Sequence, residues 1–330
     1  LFLRRELRLE AAPDALDALP AISTSVVGNV VHATLQRVVD RAVGKRSEDH
    51  EPLRVAFARG AVRAPWPEPA ELEAIAAEEA LRVAAVEGVR IPGFARAVAR
   101  RALAMIEVAR ARDWSDPDGL AVLGAELAGD VVVRDAAGRE RRIGFIVDRA
   151  DLAGGVLRLT DYKTGTPVST VTGEPKKREK LLDAVSEGRA LQSVAYLAAA
   201  QALGAAQAEG RLLYLREGLD DRSRAFVARH DDAELLAAFG ATARTALAAF
   251  DAGTLFPRLV EPEKDEEPSA CEWCEVAAAC LRGESNPRAR LREWAAAEAA
   301  RHDAASAADR ALFAAFAFGR EPEPREEDAS

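Results

Sequence analysis

Two β-rich runs, IGFIVDRADLA (143–153) and VLRLTDYK (156–163), meet at Gly154-Gly155, and this junction constrains the fold more than any other stretch. Two consecutive glycines take positive φ without steric cost, so the pair signals a two-residue hairpin loop. Such a loop fixes the register: residues whose numbers add up to 309 face each other across the ladder. Asp148 then stands opposite Asp161, with Lys163 two residues further along the same face. Directly opposed carboxylates, with Cβ atoms about 5 Å apart, repel each other, so a purely structural hairpin is expected to avoid them. A divalent cation between them turns the repulsion into a binding site.

The chain has 330 residues, enough for one large domain or two modest ones with an ample core. It is 49% hydrophobic and 30% charged, a soluble globular balance, and its abundant alanine favours helix. No apolar run approaches the ~20 residues needed to cross a bilayer, so no membrane partner is expected. The opening LFLRRELRLE reads as mid-helix without a start methionine, a cap or a signal peptide, so the chain is expected to be a fragment of something longer. A net charge of −9 weighs against a nucleic-acid partner, yet it is unevenly spread. EPEKDEEP (261–268) and EPEPREED (321–328) are acidic, while KKREK (176–180) and RRELR (4–8) are basic, so local surfaces decide. Three cysteines are too few for a disulfide framework, which points to a reduced, cytoplasmic setting.

Residues 1–20 read as a helix and a Pro-punctuated loop. Val27, Val30, Val31, Leu35, Val38 and Val39 recur at helical spacing, with Ser25 as N-cap and Gly44 as stop. A loop with room for one short helix is expected over 45–70, then helices near 70–87 and 93–113. Strands follow at 120–134, 142–152 and 156–163, and a polar excursion at 164–187. Helix is expected at 188–203 and 231–252, with strands at 210–217 and 223–229 between them. After the cysteines come one helix near 287–317 and an acidic tail expected to be disordered. The pattern predicts an α/β fold around a mixed central sheet flanked by helices. Its expected parts are N-terminal helices (1–44), a helical insertion (45–115), a core (116–255), a cysteine region (256–286), and a C-terminal helix with its tail (287–330).

The motifs GFIVDRAD, LTDYKTG and Gln192-Ser193-Val194-Ala195-Tyr196 resemble those of the RecB-like, AddB-type branch of the PD-(D/E)XK nucleases. GNVVHATLQ (28–36) is similar to the upstream helix that supplies a histidine in that branch. The resemblance implies a restriction-endonuclease-like core and a Mg²⁺- or Mn²⁺-dependent deoxyribonuclease. Asp148 and Asp161 offer the hard oxygen ligands this chemistry needs. By resemblance, His32 and the backbone carbonyl of Tyr162 complete the ligand set, and Lys163 acts beside the metal on the attacking water or the transition-state charge. Gln192 and Tyr196, four apart, share one helix face; the resemblance assigns them to positioning Lys163 or the DNA backbone. Glu126 is weighed as a further acid but not placed among the ligands, and KKREK as a solvated face or a phosphate contact. The Asp148-Arg149 neighbours could equally form a local salt bridge.

Cys271, Cys274 and Cys280 have the short spacing of a metal or cluster site rather than a disulfide. Three thiolates are one short for zinc or for a [4Fe–4S] cluster. In iron–sulfur members of the branch the fourth cysteine lies just upstream of a segment like FLRRELRLE, which here opens the chain. The resemblance therefore implies a [4Fe–4S] staple completed by a residue upstream. It further implies an exonuclease on single-stranded DNA or unwound duplex ends, as the C-terminal module of a bacterial helicase–nuclease for double-strand-break repair with a helicase subunit or domain as partner. A free-standing CRISPR-associated-type exonuclease and an inactive DNA-binding scaffold of the same fold are the alternatives. No G-x-x-x-x-G-K-[ST] phosphate loop is present.

Overall fold

A computed structural model describes residues 21–44, 50–135, 137–253, 267–268, 271, 274, 280, 285–301 and 306–318. Six strands form one mixed sheet in chain order: β1 (Val62–Ala64), β2 (Leu120–Arg134), β3 (Glu140–Ala153), β4 (Val156–Lys163), β5 (Ala208–Tyr214) and β6 (Ala225–Arg229). Every neighbouring pair is antiparallel except β4 and β5, which run parallel because two helices intervene between them. The predicted hairpin register holds, with Arg149 facing Thr160 and Leu152 facing Leu157 across Gly154 and Gly155, both at positive φ.

Helices cover both faces. On one lie α1 (Thr24–Val43), α3 (Pro69–Val86) and α4 (Pro92–Asp113), whose Val30, Val31, Leu35, Val98 and Ile106 pack with sheet residues Val122, Tyr162 and Leu213. On the other lie α2 (Leu53–Arg59), α5 (Glu174–Ser186), α6 (Leu191–Ala202) and α7 (Ala233–Asp251), whose Leu181, Leu197 and Phe239 meet Leu127, Leu159 and Leu212. The central strands are therefore apolar on both sides, as a sheet between two helical layers requires. By length and composition α7 could span a membrane, but its Leu235, Phe239 and Ala243 are buried in this core. The last helices are α8 (Ser285–Ala300) and α9 (Ala307–Ala317).

Several sequence expectations need correction. Ser23 caps α1, accepting from the Val26 N–H, and Ser25 lies within the first turn; Gly44 closes the helix in the left-handed region as expected. The stretch 45–70 contains an edge strand, β1, too short to show alternation, besides the helix α2. The polar excursion after β4 holds α5, whose Leu181, Ala184 and Val185 form a narrow buried stripe among charged residues. The single helix over 287–317 is two, the second capped by Ser306. The helix and loop of 1–20, the acidic stretch 261–266 and the tail 321–328 lie outside the described residues.

The buried Arg149 locks α4 to the sheet. It donates to Asp113 at the end of α4 (2.6 Å), to Asp151 (2.9 Å) and to the Tyr162 hydroxyl, and lies over the Trp114 ring. Arg211 of β5 donates to both Asp113 oxygens and to Thr160. Burial alone would raise Asp113, but Arg149 and Arg211 outweigh it and hold its carboxyl well below the usual carboxylate range. The alternation of strand residues therefore decides the fate of DRAD: Arg149 and Asp151 enter this network, and Asp148 faces away from it. A salt bridge between Asp148 and Arg149 does not form.

Candidate metal centre

The β3–β4 ladder ends at Arg149–Thr160, one residue short of the two acids. Beyond it, the Asp148 side chain takes over a ladder bond, its Oδ2 accepting the Tyr162 N–H at 2.6 Å. Its Oδ1 lies 3.3 Å from His32 Nδ1. His32 reaches this point because α1 approaches the end of β4 closely. A Cβ on Gly28, one turn before His32, would stand 2.9 Å from Thr164 Oγ1. The GNVVH pattern thus combines a close approach with a donor one turn on.

Asp161 is buried beside them. Tyr196 of α6 donates to Asp161 Oδ1 (3.3 Å) and to the Ile146 carbonyl (3.0 Å). Lys163 Nζ stands 2.8 Å from Asp161 Oδ2, an ion pair without hydrogen-bond alignment that leaves this buried oxygen with no hydrogen bond. Burial raises the Asp161 pKa, and the like charge of Asp148 adds to it against the pull of Lys163 and His32. Burial and the same two carboxylates keep the Tyr196 hydroxyl protonated as a donor. Gln192, by contrast, is exposed at the start of α6 and bonds neither to Lys163 nor to the acids. Sharing a helix face did not suffice, because that face meets the site only at Tyr196.

The third acid is Glu126. One ligand atom each from His32, Glu126 and Asp148 lie within 4.8 Å of one another. Glu126 occupies the rung between Ala125–Arg149 and Leu127–Val147, opposite Asp148, with φ of 47° and next to a register shift at Val122/Gly124. A non-glycine residue in that region is strained and is commonest where function holds it. The strain re-aims β2: Leu123 and Leu127 pack on one face and Ala125 between them on the other. Backbone groups of this stretch of β2 find partners in the segment before and through α2. His50 Nδ1 lies 3.0 Å from the Glu126 carbonyl, Arg59 donates to the Leu123 carbonyl, and the Glu51 carbonyl accepts from Ala128 N–H.

This donor set fits a hard divalent cation. With their ligand atoms within 4.8 Å of one another, the three stand close enough to share one ion once the side chains draw in toward it. Carboxylates with one imidazole suit Mg²⁺ or Mn²⁺. Asp161 lies outside the trio and adjoins it through Asp148, its Oδ2 paired with Lys163.

Burial would lower the His32 pKa, but the hydrogen bond to Asp148 and the charges of Asp148, Asp161 and Glu126 raise it overall. A pKa raised on folding adds stability below the unfolded value, and that stability is lost as pH rises through the folded value. The ion requires the neutral ring, so binding must release a proton and strengthen as pH rises through that window. Titrating Mn²⁺ below and above neutrality in buffers of different ionisation enthalpy is expected to show both effects. A pH-independent affinity without proton release would place His32 outside the ligand set.

In the basic run 176–180, three of the four cationic side chains are engaged within the chain, and Lys176 is exposed. Lys177 is buried and donates to the Ala225 carbonyl, Arg178 is held by Asp232 and Glu234, and Lys180 by Asp183. Cys271, Cys274 and Cys280 form no disulfide and, among the described residues, do not gather into a metal-holding group. Short spacing alone does not bring thiolates together, because ordering the loop costs entropy that metal–sulfur bonds must offset.

The sheet, the helices on both its faces and the acids where β3 and β4 part define an α/β nuclease core. The chain belongs to the PD-(D/E)XK nuclease superfamily, whose family model matches residues 1–281. No curated protein matches it. The family's substrate is nucleic acid, and its chemistry is phosphodiester hydrolysis.

Proposed function

We propose that this chain is a divalent-metal-dependent deoxyribonuclease acting on single-stranded DNA or unwound duplex ends. The observation that carries the reading is the convergence of Glu126, Asp148, Asp161 and His32, with Lys163 paired to Asp161. Opposed acids at a strand parting destabilise an ordinary fold, and the like charge of Asp148 adds to burial in raising the Asp161 pKa. A divalent ion held by this set supplies Lewis-acid polarisation of the scissile phosphate and a more acidic water. Lys163 places a cation where charge accumulates on the phosphoryl oxygens. Tyr196 fixes the Asp161 carboxylate, and the Tyr162 N–H fixes that of Asp148, so both acids are oriented before substrate arrives.

The finer assignments rest on motif resemblance. These are membership of the RecB-like, AddB-type branch, exonucleolytic action, and a place as the nuclease module of a helicase–nuclease in break repair. A [4Fe–4S] cluster on Cys271, Cys274, Cys280 and an upstream cysteine belongs to the same resemblance and gains no support from the positions of the thiols.

The reading is tested by digesting labelled single-stranded DNA with Mg²⁺ or Mn²⁺, against a chelator control. Wild type is expected to cut, and Asp161→Ala and Lys163→Ala to lose the activity. A wild type that cuts nothing, or variants that cut as well as it does, would refute the assignment.

A further inference from the structure

The arginines of this acidic chain mostly stand in ion pairs, as Arg37, Arg141, Arg178 and Arg224 do with nearby carboxylates. Arg96, Arg100 and Arg101 on α4 do not. All three are exposed, and among the described residues no carboxylate pairs with them. Arg96 and Arg100 stand one helical turn apart, with Arg101 beside them. They line a groove of about 630 Å³ with Gly93, Ala97 and Ala104. Small residues between the arginines leave room for an extended chain to lie close to the helix.

The groove continues. Ile22, Arg101 and Glu217 also line an adjoining cavity of about 230 Å³ that includes Arg216 and Thr164. Thr164 directly follows Lys163, so the groove ends beside the strand that carries the proposed reacting centre. Four guanidinium groups face one carboxylate, Glu217, along this path. The acid pocket of about 470 Å³ opens on the other side of α1, lined by His32, Glu126 and Asp148. Net charge is thus inverted locally.

We propose that this groove is the track for the sugar–phosphate backbone of the substrate strand, held by Arg96, Arg100, Arg101 and Arg216. The proposal rests on the nuclease reading and adds to it the surface that binds the strand. Unpaired guanidinium forks suit phosphate oxygens, and a small-residue floor without base-reading groups favours contact with the backbone over sequence. An acidic protein segment is the competing occupant. The groove's continuity with the residue after Lys163 favours the substrate strand.

Fluorescence anisotropy of a labelled oligodeoxythymidine, with chelator to prevent cleavage, separates these outcomes. It compares wild type, the triple variant Arg96→Ala/Arg100→Ala/Arg101→Ala, and a control, Arg134→Ala/Arg142→Ala, which removes exposed arginines from the β2–β3 ladder. Far-ultraviolet circular dichroism checks that each is folded. Each lost phosphate contact on a single strand reduces the log–log salt slope by about 0.7, so the triple variant is expected to flatten it by about 2 and to weaken binding at least about tenfold. The control is expected to keep most of the wild-type slope. Wild-type affinity and slope in the triple variant, while wild type cuts DNA with Mg²⁺, would overturn the track and leave the nuclease reading intact. The same binding with loss of affinity for a labelled poly-glutamate peptide would make the groove a protein-docking face and equally overturn the proposal. A wild type that neither binds nor cuts DNA would remove the reading on which the track rests.

Discussion

Asp148→Ala is expected to reduce DNA cleavage by about a thousandfold or more while leaving the fold nearly as stable as before. The activity estimate follows from the ligand it removes: a metal's stabilisation of transition-state charge amounts to several kcal/mol, and about 4 kcal/mol corresponds to a thousandfold. The stability estimate follows from opposing effects. The Tyr162 N–H loses its acceptor, a cost of about 1 kcal/mol, and His32 loses its partner. Against this, Asp161 loses the like charge that helps to raise its pKa. The two nearly cancel, so a thermal melt of the metal-free variant should stay close to wild type while cleavage collapses. A large fall in melting temperature would show that Asp148 is chiefly a structural acceptor.

Arg149→Met is expected to do the reverse, with its largest effect on stability. The residue is fully buried and joins Asp113, Asp151 and Tyr162. Methionine fills part of the volume but leaves two buried acids short of a cation. Burial already raises Asp151 despite Arg149, so removing the arginine leaves it the worse placed of the pair. Breaking a buried ion pair from one side costs about 3–5 kcal/mol, moderated here because Arg211 still holds Asp113. Urea denaturation should show a lower midpoint at an unchanged slope. A loss below about 1 kcal/mol would mean that Arg211 and Arg158 alone neutralise the cluster.

The part of the site carried by local chemistry was legible in the sequence. Gly154-Gly155 set the register as far as Arg149 and Thr160, because a two-residue turn leaves no freedom to slip, and so brought Asp148 and Asp161 to the point where the strands part. The alternating valines of α1 exposed the helix that carries His32, although Ser23 rather than Ser25 caps it. Glu126, weighed only as a further acid, is legible by the same arithmetic. Counting back from the Asp135–Arg139 turn of the β2–β3 hairpin places it opposite Asp148, and the bulge begins only beyond it. Its left-handed backbone was not legible, because His50 and Arg59 hold that bulge from far along the chain. Nor was the burial of Arg149, since its principal partner Asp113 is 36 residues away. Gln192 shows the reach of spacing alone: it placed the residue on the Tyr196 face of the helix but not which turn meets the acids, and Gln192 stands exposed one turn away.

Calorimetric titration of Mn²⁺ into the metal-free chain tests the central claim most directly, because it reads the ion rather than the reaction. If His32, Glu126, Asp148 and Asp161 form one centre, wild type binds Mn²⁺ with release of a proton, and Asp148→Ala binds at least about a hundredfold more weakly, beyond the ten- to hundredfold seen for outer-shell partners. Equal affinity in the two proteins, or no binding by wild type, would contradict it.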